Sequence, residues 1–207
     1  MDNEGTSEKL VQKPTAIDPS SSGEVLAALA GDPDRAVRQA VARHKNTFEA
    51  TLAVLSADAY VAVRWEVARN PHTSAAILSI LAKDPEKSVR KAVAVNRGTP
   101  DDVLIAMARV NAAHLRLDIA RSKNTSVAVL EQLVHDQAAN VRKAVAENPR
   151  TSENALSELA GDSASAVREM VAANPGTPRS ILQQLAEDSV ASVRHQALYH
   201  DKLRDVT

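Results

Sequence analysis

A register of 26 residues constrains this chain more than any other feature. The pair Val89–Arg90 returns at that step as Val37–Arg38, Val63–Arg64, Val141–Arg142, Val167–Arg168 and Val193–Arg194, and Leu115–Arg116 fills the remaining slot. A threonine keeps the same phase at Thr47, Thr73, Thr99, Thr125, Thr151 and Thr177. Self-similarity at a fixed period of this size belongs to stacked supersecondary units, each touching only its neighbours, rather than to one globular core. The stretch Asp84–Arg109, DPEKSVRKAVAVNRGTPDDVLIAMAR, is the parent unit.

Within a unit the pattern predicts two short helices. Asp32, Asp58, Asp84, Asp136, Asp162 and Asp188 read as N-caps of the first, because a carboxylate there accepts from orphan backbone N–H groups. Pro33 then falls at N1, where its missing N–H costs nothing. Val89, Ala92 and Val93 share one helical face. The helix stops at Asn70-Pro71, Asn148-Pro149 and Asn174-Pro175, since proline forbids continuation. The recurring threonine reads as the cap of a second helix, with Pro100 or Pro178 at N1 and Glu49, Asp101, Asp102 or Glu153 in the first turn, where the helix dipole favours acids. The second apolar face is Val103, Leu104, Met107 and Ala108. Helices of roughly ten residues do not persist alone in water, so stacking must hold them.

Three segments follow: a flexible polar arm over 1–21, a repeat domain over 22–200 opening on a half-unit that serves as a cap, and a polar tail over 201–207. Aromatics make up only 2% of the chain, so the core is built from Ala, Val and Leu. The formal net charge of −1 gives no global pull toward nucleic acid or anionic membrane. The absence of cysteine rules out disulfides, iron–sulfur clusters and thiolate zinc sites. The N-terminus does not read as a signal peptide, and no apolar run is long enough to span a bilayer. The expectation is a soluble cytoplasmic protein without cofactor or membrane partner.

At the level of VRxAVAxNPxTPxxxLxxLAxD the sequence resembles the leucine-rich repeat variant family. Val141–Ala146, Asn148-Pro149, Thr151, Leu156, Leu159-Ala160 and Asp162 carry the resemblance best, and it extends over roughly Ser22 to His200. It implies an all-α, right-handed α-solenoid of about seven two-helix repeats, with α or 3₁₀ geometry open for one helix row. The Asp-x5-Arg spacing is also similar to HEAT-type repeats. The family implies binding rather than catalysis and fixes no ligand. Its cysteine-rich cluster domain has no counterpart in this cysteine-free chain.

Two sets of residues are candidates. The arginine column (Arg38, Arg64, Arg90, Arg116, Arg142, Arg168, Arg194) suggests phosphate binding at first sight. A structural ladder with Asp58, Asp84, Asp136 and Asp162 between stacked units explains its recurrence better. Val110 replaces aspartate in one unit, which is expected to leave Arg116 to Asp118 and to make Arg109–Asp118 the irregular step. The second set lies opposite the buried stripe of the first helix. Arg43, Trp65, Arg69, Lys91, Leu117, Arg121 and Lys143 stand in two columns that vary where the others repeat, and they form the expected partner-binding face. Trp65 either stacks on Arg69 one turn away or anchors a partner.

First-helix segments are basic and second-helix segments acidic. Seven layers would make a basic track of ~55 Å, a length that matches about 16 base pairs of duplex. Protein binding is therefore the first reading and duplex backbone binding the alternative. No P-loop, GxGxxG, HExxH or GxSxG pattern occurs, and His195 and His200 have the wrong spacing for a helical metal site. No catalytic residue is expected.

Overall fold

The computed structural model describes residues 18–109 and 112–204. Most of the expected arm therefore lies outside the described residues, as do Val110 and Asn111 of the expected irregular step. The described residues form fourteen helices and no strand. The first-helix row comprises α2 (Arg35–Arg43), α4 (Val61–Arg69), α6 (Lys87–Val95), α8 (Ala113–Arg121), α10 (Ala139–Glu147), α12 (Ser165–Ala173) and α14 (Ala191–Arg204). The second row comprises α1 (Gly23–Leu29), α3 (Glu49–Leu55), α5 (Ala75–Leu81), α7 (Asp101–Ala108), α9 (Val127–Leu133), α11 (Glu153–Leu159) and α13 (Arg179–Leu185).

The chain divides into two compact units, Met1–Thr73 and Ser74–Thr207. In the first, α2 packs on α4 and α1 and α3 flank them. In the second, α6, α8, α10, α12 and α14 stack in sequence, each on the next, with second-row helices between. Each unit is thus an all-α solenoid segment.

Both rows are α-helical, which decides against 3₁₀ geometry for the second. The entering turn closes with i→i−4 bonds such as Leu52 N–H to Phe48 O at 3.0 Å and Leu156 N–H to Ser152 O at 2.9 Å. Leucine or isoleucine at three- and four-residue spacing needs that wider turn to keep one buried face.

The expected caps shift by one or two residues. The first helices are capped by Asp34, Tyr60, Glu86, Ala112, Ala138 and Ala164 rather than by the recurring aspartate. That aspartate sits two residues earlier and folds an Asx turn, its Oδ1 accepting from the N–H of the cap residue at 2.8 Å in Asp32, Asp58, Asp84, Asp136 and Asp162. The second helices are capped by Phe48, Ser74, Pro100, Ser126, Ser152 and Pro178, one residue after the threonine. Each threonine instead donates Oγ1–H to the carbonyl six residues back, as from Thr47 to Val41 and Thr125 to Ile119, both at 2.6 Å. The hydroxyl adds a second donor to a helix-end carbonyl that already accepts a backbone N–H, as Val41 O does from His44 and Ile119 O from Ser122.

The core follows the apolar pattern and extends it. Val141, Ala144 and Val145 are buried as the phase requires, and so is Ala146 beside them. Ala42, Ala68, Ala94, Ala120 and Ala172 repeat that burial. Leu52, Leu78, Leu130, Leu156 and Leu182 supply the matching second-row layer. At the C-terminal end α14 continues to Arg204, through the start of the expected tail. His200 and Asp201 replace the Asn-Pro stop there.

Candidate partner-binding face

The repeating polar residues make bonds between units. Arg38 Nε donates to Asp58 Oδ2 at 2.6 Å and Nη2 to Oδ1 at 3.2 Å, twenty residues on. The same bidentate pair recurs as Arg116–Asp136, Arg142–Asp162 and Arg168–Asp188. The arginine reaches its own repeat's aspartate only through the backbone, with Nη1 bonded to Asp32 O in Arg38 and to Asp136 O in Arg142, each at 2.7 Å. Contrary to the expectation that Val110 would leave Arg116 to Asp118, Arg116 holds Asp136, and Asp118 pairs with Lys91 at 3.0 Å. Arg64 Nη1 donates to Asp58 O at 2.7 Å, and Asp84 is buried.

The guanidiniums hold these carboxylates ionised. The bond from Arg168 brings Asp188 down to about 2 and that from Arg142 lowers Asp162, each against a smaller opposing push from burial. For Asp58 and Asp136 burial is the largest influence and raises the pKa. The guanidinium, the Asx-turn N–H and nearby charge together outweigh it, so both lie below the usual range.

Asparagine forms a second ladder that the sequence reading missed. Asn148 Nδ2 donates to Ala120 O at 2.8 Å and Ser122 O at 3.0 Å, while its Oδ1 accepts from Arg150 N–H. Asn70 and Asn174 do the same to Ala42 and His44, and to Ala146 and Asn148. The signal was the recurrence of Asn before Pro, but a helix stop alone would account for that.

The seven face residues fall in the two units. In the first, Arg43 and Arg69 are exposed and Trp65 is half-buried, with the Arg69 guanidinium 4.3 Å from the ring centroid. Glu66, only 4% exposed, occupies a position that the phase predicts to be apolar. Its carboxylate accepts from Gln39 Nε2 at 3.2 Å and lies 4.0 Å from Arg69. Arg43, Glu66, Arg69, Asn70 and Pro71 line a cleft of about 200 Å³. In the second unit Lys91, Arg121 and Lys143 are exposed, whereas Leu117 is half-buried rather than exposed as expected. Arg121, Lys123, Ala144, Glu147, Asn148 and Pro149 line a cleft of about 330 Å³, at the same repeat positions as the first. Both clefts are shallow, and each is lined by two cationic side chains, one carboxylate and a buried asparagine. Among the described residues no three His, Asp or Glu side chains gather as a metal site, and no helix is long and apolar enough to cross a membrane.

No family model and no curated protein matches the chain. Among solved structures, one described as a leucine-rich repeat variant with a novel repetitive protein structural motif is similar at a TM-score of 0.64 and 26% identity. The similarity covers 87% of this chain and 72% of that one. The resemblance to the leucine-rich repeat variant read from VRxAVAxNP is shown in three dimensions.

Proposed function

We propose that this leucine-rich-repeat-variant-like chain is a non-catalytic scaffold that binds a protein partner through the exposed face of its first-helix row. One observation carries the reading: cations at Arg43, Arg69 and Arg121 surround shallow clefts at repeated positions, with Trp65 at the edge of one of them. A half-buried tryptophan held by an arginine loses little freedom on binding, which is what an interface anchor requires. The Arg–Asp and Asn ladders and the alanine-rich core hold the repeats without Arg43 and Arg121, while Arg69 packs on Trp65 beside Glu66.

Duplex nucleic acid is the other reading of the same cations. Local pairing weighs against it: Lys91 is held by Asp118, and Arg69 lies between Trp65 and Glu66. Cations with carboxylates this close release fewer counterions on a phosphate backbone.

Purification of tagged wild-type and Trp65→Ala chains from the native cell, with the bound proteins quantified, tests the proposal. The variant is expected to lose a partner that the wild type retains while keeping its helical circular dichroism; equal recovery contradicts the proposed face. Duplex binding that weakens log-linearly with salt and disappears on combined reversal of Arg69, Lys91, Arg121 and Lys143 would favour nucleic acid instead.

A further inference from the structure

Within the 74–207 unit, the turns that follow α6, α8 and α10 form one cationic edge. Asn124 Nδ2 donates to Val95 O at 3.3 Å, and Asn148 Nδ2 donates to Ser122 O at 3.0 Å, so each turn is tied to the one before it. These turns, 95–98, 121–124 and 147–150, carry Arg97, Arg121, Lys123 and Arg150 against a single carboxylate, Glu147. All four cations are exposed. Elsewhere on the first row a cation has its carboxylate: Lys91 has Asp118, Arg142 has Asp162 and Arg168 has Asp188. Among the described residues the side chains of Arg97, Arg121, Lys123 and Arg150 pair with none. The following turn, 173–176, is uncharged, so the edge spans three layers.

We infer that this edge docks an acidic segment of a protein partner in polyproline II conformation, with Asp or Glu at every third residue. The inference rests on the proposal that the first-row face binds a protein, and it names the chemistry of the segment bound. Spacing supports it first: packed helices repeat at about 9 Å, and a polyproline II segment completes a turn in three residues and about 9 Å. Carboxylates at i, i+3 and i+6 therefore point to one side in step with the three layers. A β-strand turns i+3 to its opposite face, and it needs a hydrogen-bonding edge that helix turns do not offer. A polyproline II backbone stays solvated and needs none. The cleft of about 330 Å³ supports it next, because Arg121 and Lys123 line it together with the exposed ring of Pro149. The middle carboxylate meets the two cations there, and Pro149 offers apolar contact that suits a peptide better than a phosphate backbone.

The experiment is a fluorescence-anisotropy titration of the full chain at low ionic strength with two labelled peptides of equal composition and charge. One is Glu-Pro-Pro-Glu-Pro-Pro-Glu, and the other, Pro-Pro-Glu-Glu-Glu-Pro-Pro, gathers the acids. The spaced peptide is expected to bind saturably and roughly tenfold tighter or more, the difference that one charge-assisted contact makes. Arg121→Glu with Lys123→Glu should abolish that binding in a chain that keeps its helical circular dichroism. No binding, equal binding of the two peptides, or binding that survives the double reversal overturns the inference. Tighter binding of a labelled DNA duplex than of the spaced peptide assigns the edge to nucleic acid and overturns it as well. The protein-binding reading is judged separately, by the recovery of partners on Trp65→Ala. If the reversed chain does not fold, the wild-type comparison of the two peptides decides alone.

Discussion

Replacing Asp188 with asparagine tests the Arg–Asp ladder at a carboxylate whose pKa is strongly lowered. In the wild type Asp188 Oδ2 accepts from Arg168 Nε at 2.6 Å, and Oδ1 accepts from Arg168 Nη2 at 2.9 Å and from Val190 N–H at 2.8 Å. Asparagine keeps one oxygen for the turn and presents an NH₂ group to the Nε donor. A carboxyl lowered from 3.8 to about 2 corresponds to roughly 2 kcal/mol at about 1.4 kcal/mol per pKa unit. The two side chains are only 13% and 8% exposed, so solvent screening removes a limited part of that. Urea unfolding followed by helical circular dichroism is expected to show this loss at neutral pH. Because the folded-state pKa is depressed, the contribution is fully present above the unfolded value of about 3.9. It fades as pH falls through about 2. The stability gap between wild type and Asp188→Asn should close over that interval, since the remaining carboxylates are common to both chains. Equal stability at neutral pH, or a gap that persists below the folded pKa, refutes the assignment.

Other substitutions probe the remaining contacts. Asn174→Ala removes two bonds to Ala146 O and Asn148 O and one from Gly176 N–H at a site 1% exposed. It should cost about 2–3 kcal/mol in the same unfolding assay. Thr125→Val keeps the shape of a fully buried side chain but leaves Ile119 O without its hydroxyl, an expected loss of about 1–2 kcal/mol in the unfolding free energy from urea titration. Leu156→Ala opens a cavity in a fully buried layer and should cost about 3–5 kcal/mol, read by thermal melting. Arg121→Glu with Lys143→Glu alters only exposed side chains and should leave the melting temperature within a few degrees of wild type.

The helix pairs were legible because their signal is local. Val141, Ala144 and Val145 announce one face within a single turn, and Asn148-Pro149 ends it. What the sequence hid acts between repeats. Asp162 looks like an N-cap because aspartate before a helix usually is one, yet its carboxylate serves an Asx turn and an arginine twenty residues earlier. Asn148 reaches back 28 residues to Ala120 O, a distance that no helical or strand period covers. Ala146 escaped notice as core because alanine is equally common on solvent faces. On the candidate face the phase placed Arg43, Arg69, Lys91, Arg121 and Lys143 outside, but it gave no sign that Glu66 would be buried beside Arg69. Burial there follows from Gln39 and the stacked neighbour, which only three-dimensional packing brings close.

Native-state hydrogen exchange of the Asn148→Ala chain tests most directly whether each repeat is held by its neighbours. Asn148 ties α10 to the end of α8. Exchange should therefore accelerate most at the amides of Ala113–Arg121 and Ala139–Glu147 and remain near wild type in Arg179–Leu185. Uniform acceleration across 74–207 would mean a single cooperative core and would contradict the account.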